Sequence, residues 1–136
     1  MIYNSSKTGE AIATKIASTN NVKAAAYKAD VTNQAEIEAV VQQVVKDFGK
    51  LDIMVANSGI ATCVPAEDYT TSQWSDIMKV NLDGAFYSAQ AAARIFKEQG
   101  HGNIIFTASV SATLVNVPQK QTAVSPKLEL VRWMLY

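Results

Sequence analysis

Apolar residues recur at helical spacing in three segments of the chain, and a short run rich in apolar residues follows each of these segments or separates it from the next. The spacing predicts a first helix over about 7–19, a second from Asn33 to Gly49, and a long third over about 72–99. Strands are predicted at the runs VKAAAYKADV (22–31), LDIMVA (51–56) and NIIFTA (103–108). The last two runs lack polar alternation, which is typical of strands buried on both faces.

The predicted elements alternate between helix and strand along the chain. This order implies right-handed crossovers and a parallel sheet with helices on both faces, which is an α/β fold. Asn33 followed by Glu36 resembles a capping box at the start of the second helix. Ligands of such sheets bind beyond the carboxyl ends of the strands. The positions of interest are therefore Asp30, 57–59 and Ser109.

Composition narrows the classes of protein to consider. The chain has 136 residues, 49% of them hydrophobic, which is enough for one domain with a core. Twelve basic and twelve acidic residues cancel without a basic stripe, so nucleic acid is not an expected partner. Cys63 is the single cysteine, so an internal disulfide is excluded, which fits a reducing compartment. No membrane span, signal peptide or metal site is predicted, and we expect a cytoplasmic protein.

Four short motifs follow the predicted strands or lie in the long helix. They are ADVT (29–32), ANSG (56–59), VNLDG (80–84) and TASVS (107–111). In this order and spacing they resemble the short-chain dehydrogenase/reductase family, NAD(P)-dependent oxidoreductases with a Rossmann fold. The surrounding sequence, including TSQW (71–74) and VNVPQ (115–119), is similar to the sequences of fungal members of the family that act on sugars and polyols. The resemblance covers about residues 3–123.

The resemblance implies cofactor-binding roles at two strand ends. Asp30 would accept a hydrogen bond from the adenine amino group, and Val31 would pack beside the ring. Asn57 would bridge neighbouring strand ends, and Gly59 would let the backbone approach a ribose closely, since glycine has no Cβ. Asp30 is also explained as a turn residue that starts the next helix, and 57–59 as an ordinary strand-ending turn.

The resemblance also implies two catalytic positions. Ser109 would hydrogen-bond the carbonyl of a small carbonyl or polyol substrate and polarise it as hydride arrives. Asn81, unusual inside a helix, would hold a water in a proton relay. Ser111 is the nearby competitor for the role of Ser109. Plain structural roles remain open as well: Ser109 as a small residue packed at a strand end, and Asn81 as a solvent-facing or locally capping polar residue.

The opening stretch YNSSK (3–7) has the Tyr–Lys spacing of the family's catalytic pair, but it stands far before Ser109. Its position instead matches the loop that meets the adenosine ribose. Ser5, Ser6 and Lys7 offer donors and one positive charge, and the loop contains no acid. An acid there would repel the 2′-phosphate of NADP, so NADP is predicted over NAD. The alternative is a solvated start of the first helix.

Both ends of the chain depart from the family pattern. No glycine-rich phosphate turn precedes residue 3, so the first strand and its turn are expected to be missing, which leaves a gap between the two halves of the sheet. Beyond 123 the catalytic tyrosine would fall at Val124 and the lysine at Leu128, with Pro126 between them. We therefore expect one partial Rossmann domain over 1–136, with a divergent tail over 124–136 and the C-terminal strands missing. A frameshift, a gene-boundary error or a divergent paralogue would each give this pattern.

Two classes of function follow. The first is a fragment of an NADP-dependent short-chain oxidoreductase acting on a sugar or polyol, inactive as given because the Tyr–Lys pair and the glycine-rich turn are lacking. The second is a non-catalytic Rossmann-like protein that serves in binding or assembly. A homo-oligomer is expected of the intact family but not of this shorter chain.

Overall fold

The computed structural model describes residues 1–62 and 64–109. Helices and strands alternate through this range, as predicted. The strands are β1 (Ile2–Tyr3), β2 (Tyr27–Lys28), β3 (Ile53–Ala56) and β4 (Asn103–Phe106). The helices are α1 (Gly9–Asn20), α2 (Gln34–Phe48), α3 (Thr71–Met78) and α4 (Gly84–Gln99), with a 3₁₀ turn at Ala66–Asp68 and a π-helical turn at Lys79–Asp83. Within the described residues, no helix is long and apolar enough to cross a membrane.

The four strands form two separate parallel pairs. β1 pairs with β2, with Ile2 opposite Tyr27, and β3 pairs with β4, with Ile53 opposite Asn103. The α/β prediction and the gap between the two halves are confirmed. The predicted strand over 22–31 is wrong in extent, because only Tyr27–Lys28 is paired. Its partner β1 contributes just two residues, so only two residues of the run pair as a strand, although Ala25 and Ala29 each make one further backbone hydrogen bond, to Met1 and Tyr3 respectively.

The core lies between β3–β4 and the two helices α2 and α4. Its buried members include Ile37, Val41, Met54, Ala92 and Ile95. These two helices pack on one another, and α4 also packs on β3 and β4. Apolar burial of this kind contributes about 25 cal/mol per Å² removed from water.

Burial of β3 on both faces was predicted, and this is wrong. Met54 and Ala56 are buried, but Ile53 and Val55 are 56% and 52% exposed. Ile105 of β4 is on the same exposed face, at 46%. Met54 packs into the core with residues of α2 and α4, and among the described helices α4 is the one that packs extensively on β3 and β4. Within the described part of the chain, the face that carries Ile53, Val55 and Ile105 has no such cover. An uninterrupted apolar run therefore did not mean double burial here.

The start of α2 differs from a capping box in one bond. The Asn33 side chain accepts from the backbone N–H groups of Ala35 and Glu36, as expected of an N-cap. Glu36 does not return a bond to the Asn33 backbone N–H; its Oε2 accepts from the N–H of Asp30 at 2.8 Å. This hydrogen bond from Asp30 to Glu36 thus links α2 to the turn that follows β2.

A close contact positions the start of α4 against that same turn. A Cβ on Gly84 would lie 2.9 Å from Cγ2 and 3.2 Å from the carbonyl oxygen of Val31. Real Cβ atoms essentially never approach so closely, so glycine permits this approach. The long helix predicted over 72–99 is accordingly three segments, with the π-helical turn directly before Gly84.

Candidate functional site

The residues that follow β1, β2 and β3 meet around one cavity of about 400 Å³, which we call the edge cavity. Its lining includes Asn4 and Ser5, Asp30 and Val31, and 57–59, together with Ile60 and Val80. Five of the predicted cofactor-binding residues are therefore neighbours: Ser5, Asp30, Val31, Asn57 and Gly59. Their convergence is what parallel strands with aligned carboxyl ends require. The cofactor-binding role itself stays a prediction.

A second cavity of about 410 Å³, the loop pocket, adjoins the edge cavity and shares Tyr3, Asn4 and Ser5 with it. It brings Ser6 and Lys7 together with Lys28 and Glu10. Neither Lys28 nor Glu10 was predicted from the sequence to belong to this site. Lys28 reaches this pocket because it lies opposite Tyr3 in the register of β1 and β2, which no local sequence signal indicates.

Glu10 adds one negative charge to a pocket that was expected to lack acids. The Tyr3 hydroxyl donates to Glu10 Oε1 at 3.3 Å. Desolvation, followed by the Glu10 carboxylate, raises the pKa of Tyr3 above its ordinary value. Tyr3 thus stays neutral and serves Glu10 as a donor, and it has no described contact with Lys7 of the kind a catalytic pair needs. Two lysines and one partnered carboxylate leave the loop pocket with a net positive lining.

Ser6 supports the plainer interpretation of the loop. Its Oγ accepts from the Thr8 N–H at 3.2 Å and lies 3.1 Å from the Thr8 hydroxyl. Thr8 is the N-cap of α1, and this helix has no side-chain capping hydrogen bond, so the Ser6 bonds organise the turn that precedes the helix. This turn role is observed, and the predicted phosphate contact of Ser6 remains untested.

Asp30 occupies the rim of the edge cavity in a tight turn. Its Oδ1 accepts from the Thr32 N–H at 2.9 Å and from the Thr32 hydroxyl at 2.8 Å. These two bonds hold the pKa of Asp30 below its ordinary value, with a smaller contribution from the Asn4 side chain. The turn role is thus observed. It is compatible with the predicted adenine contact, because a carboxylate has about four acceptor positions.

Asn81 lies buried in the π-helical turn Lys79–Asp83. Its Oδ1 accepts from the Ile60 N–H at 2.8 Å, and its Nδ2 donates to the Ile60 carbonyl at 2.9 Å. The side chain therefore holds the segment after β3 against the helix, next to Val80 in the edge cavity. π-helical turns are frequent at functional sites. The predicted water relay is not tested by these contacts.

Ser109 stands three residues beyond β4, with its side chain exposed. It lines neither the edge cavity nor the loop pocket. The structure thus brings the cofactor-binding candidates together but does not join Ser109 to them. Ser111, Val124, Pro126 and Leu128 lie outside the described residues.

The adenosine end of a dinucleotide suits these two cavities. Asp30 offers an acceptor for an amino group, Val31 and Ile60 offer apolar surface for a ring, and the lysines offer positive charge for a phosphate. No glycine-rich turn stands beside them in this sequence to receive a pyrophosphate. In the described part of the chain, no group of His, Cys, Asp or Glu could hold a metal ion.

Comparison with known proteins decides the family. The family model described as short chain dehydrogenase matches residues 1–124. The chain belongs to the short-chain dehydrogenase family. The resemblance inferred from the four motifs is thereby confirmed.

Fungal polyol enzymes are among its relatives. The chain is 43% identical over 122 residues to a probable NADP-dependent mannitol dehydrogenase of Yarrowia lipolytica, covering 88% of this chain and 44% of that protein. It is 40% identical over 122 residues to a sorbose reductase of Candida albicans, covering 88% and 43%. The chain thus spans less than half the length of these curated relatives.

A solved structure confirms the fold. The NADPH-dependent 3-quinuclidinone reductase from Rhodotorula rubra superimposes with a TM-score of 0.87 at 36% identity. The match covers 97% of this chain and 50% of that one. The chain therefore has the fold of this family, as predicted. It corresponds to about half of the length of that relative.

Proposed function

We propose that this chain forms the NADP(H)-binding half of a short-chain oxidoreductase that interconverts a sugar-type carbonyl and the corresponding polyol. One observation carries the proposal: residues following three successive parallel strands surround a single cavity, and that cavity continues into a pocket with two lysines. This arrangement matches the adenosine end of a phosphorylated dinucleotide in shape and charge.

The choice of NADP over NAD rests on charge. Lys7 and Lys28 lie on the loop pocket, while the carboxylate of Glu10 is engaged by the Tyr3 hydroxyl. A 2′-phosphate would form charge-assisted hydrogen bonds with both lysines, whereas the 2′-hydroxyl of NAD would be stabilised little by them. Relatives whose names include NADP-dependent mannitol dehydrogenase support the same cofactor.

The chemical step would draw on Ser109 and Asn81. The bound dinucleotide would supply or accept hydride. Ser109 would donate a hydrogen bond to the substrate carbonyl oxygen, and Asn81 would orient a water that carries a proton. Asn81 can do this while bonded to Ile60, because its Oδ1 keeps one acceptor position and its Nδ2 one hydrogen.

The sequence provides no tyrosine near 124 to exchange the substrate proton. We therefore propose that the 136-residue chain by itself does not turn over substrate. The single-domain organisation over 1–136 and the cytoplasmic location also stand as predictions.

The test is a titration of the ¹⁵N-labelled chain with NADP⁺, followed by NMR. We expect weak binding, with chemical-shift changes concentrated at residues 4–7, 28–31 and 57–60. Changes confined to other surfaces would refute the proposed site. Absence of any change at saturating NADP⁺ would favour the non-catalytic alternative.

A further inference from the structure

The acid that lines the loop pocket has a tyrosine as its partner. The Tyr3 hydroxyl donates to Glu10 Oε1 at 3.3 Å, and both side chains line the pocket together with Lys7 and Lys28. A carboxylate beside two lysines has the opposite charge it needs for an ion pair. Among the described residues, however, Glu10 forms an ion pair with neither lysine. The carboxylate is therefore held by a neutral donor, and it neutralises neither cation.

Tyr3 is fixed from two sides. Its carbonyl accepts from the Ala29 N–H at 2.9 Å, which ties its main chain to the residue after β2. A Cβ on Gly9 would lie 2.8 Å from both Cγ and Cδ1 of the Tyr3 ring, so the ring packs directly on the buried first residue of α1. Because main chain and ring are both held, the hydroxyl has a defined position from which to hold Glu10, the next residue of the helix.

The two lysines reach the loop pocket from different elements. Lys28 is the register partner of Tyr3 in the parallel pair β1–β2, so these two side chains project from the same face of the strands. Lys7 comes from the loop that follows β1. A phosphate dianion in this pocket would meet both cations, and charge-assisted hydrogen bonds of this kind are the strong ones. The value of the two lysines therefore depends on where the Glu10 carboxylate is kept.

We propose that Tyr3 is a specificity-determining residue, whose hydroxyl holds Glu10 so that both lysines stay available to the 2′-phosphate of NADP(H). This inference rests on the proposed NADP(H) site and adds a positioning residue to it, since Tyr3 acts through Glu10. Without the hydroxyl, the carboxylate becomes free to pair with Lys7 or to accept from a ribose 2′-hydroxyl. Either change weakens the selection of NADP over NAD.

The hydroxyl can be separated from the structural role of the ring. Tyr3→Phe keeps the ring on Gly9 and the backbone bond from Ala29, and it removes only the donor to Glu10. Desolvation and the Glu10 carboxylate raise the pKa of Tyr3, so the hydroxyl keeps its proton at neutral pH and meets the carboxylate as a donor. An effect of Tyr3→Phe that needs Glu10 is therefore an effect of this one hydrogen bond.

The test measures the affinities of the full chain for adenosine 2′-phosphate and adenosine 5′-phosphate by calorimetric titration at low ionic strength. In Tyr3→Phe the preference for the 2′-phosphate should fall about twofold or more, which is the scale of an exposed ion pair. In a Glu10→Gln background there is no carboxylate to release, so adding Tyr3→Phe should leave the preference unchanged. Retained binding of the 5′-phosphate shows that each variant keeps the adenosine site.

Tyr27→Phe is the matched control. The Tyr27 hydroxyl donates to a carboxylate oxygen of Asp47 at 2.8 Å, and neither residue lines the loop pocket, so this variant should keep the preference of the unaltered chain. If the unaltered chain binds both nucleotides equally, the proposed NADP(H) site is overturned together with this inference. If the unaltered chain prefers the 2′-phosphate, an undiminished preference in Tyr3→Phe would overturn only the role of Tyr3. An equal loss with and without the Glu10 carboxylate would do the same.

Discussion

The side-chain amide of Asn81 makes two hydrogen bonds to the backbone of Ile60, one in each direction, at 2.8 and 2.9 Å. These two hydrogen bonds resemble the paired N–H and C=O bonds between neighbouring strands, except that one partner is a side-chain amide. They connect the π-helical turn before α4 to the segment that leaves β3. Because Ile60 and Val80 both line the edge cavity, this pair fixes one side of the proposed dinucleotide site.

Replacing Asn81 should loosen that side of the cavity. Asn81→Ala leaves both Ile60 groups without their partner and should cost about 1–3 kcal/mol of unfolding free energy. Asn81→Asp keeps an acceptor for the Ile60 N–H but sets a carboxylate oxygen against the Ile60 carbonyl. The loss should therefore be partly recovered at low pH, where the introduced carboxyl can donate. Hydrogen exchange of the Ile60 amide measures the effect, and unchanged exchange in Asn81→Ala would contradict it.

Gly84→Ala should destabilise the chain even though alanine is the better helix former. The added methyl would meet Val31 at 2.9 Å, and crowding of this kind costs about 1–3 kcal/mol. Val31→Ala removes the nearest contact, so Gly84→Ala should cost less in that background. A double-mutant cycle by chemical denaturation gives the coupling energy. Strict additivity of the two substitutions would show that the contact is not the cause.

Asp30 should contribute stability that is lost in acid. Hydrogen bonds from Thr32 lower its folded-state pKa, so its contribution is present above the unfolded carboxyl pKa of about 3.9 and disappears as the pH falls through the folded pKa. Asp30→Asn should remove this part of the acid dependence. Thr32→Ala, which keeps the backbone donor and loses the hydroxyl, should remove a fraction of it. Denaturation curves between neutral and strongly acidic pH would test both, and an identical pH profile for Asp30→Asn and the unaltered chain would contradict the assignment.

The chain alone should not reduce fructose, sorbose or xylulose with NADPH. The double substitution Val124→Tyr and Leu128→Lys should not rescue it, because Pro126 remains between the pair and the pyrophosphate still lacks a glycine-rich turn. The measurement is the loss of NADPH absorbance with each purified protein. Turnover by the double variant would show that the glycine-rich turn is dispensable.

The sequence pattern predicted the alternation of elements because the apolar positions of α2 and α4 keep helical spacing and a buried face. It also placed Asp30 and 57–59 at one edge, since parallel strands bring their carboxyl ends together. The sequence pattern failed where the burial of a side chain depends on which neighbouring element packs against it. Ile53 and Val55 belong to an apolar run, yet whether they are buried depends on which helices cover the sheet.

The loop pocket shows the same limit at the candidate site. Ser5, Ser6 and Lys7 are adjacent in sequence and were predicted together. Lys28 joins them only through the pairing of β1 with β2, and Glu10 only through the first turn of α1. Contacts across strands and between a loop and a helix turn cannot be read from local composition.

The proposed NADP(H) site is tested most directly by the ratio of affinities for adenosine 2′-phosphate and adenosine 5′-phosphate, measured at low ionic strength, where surface charges are least screened. The unaltered chain should prefer the 2′-phosphate by about threefold or more, the scale of exposed ion pairs. Lys7→Glu should abolish or reverse this preference. Lys15→Glu makes the same charge change on α1 outside the loop pocket and should preserve it. Equal affinity of the unaltered chain for both nucleotides, or equal effects of the two substitutions, would contradict the proposed site.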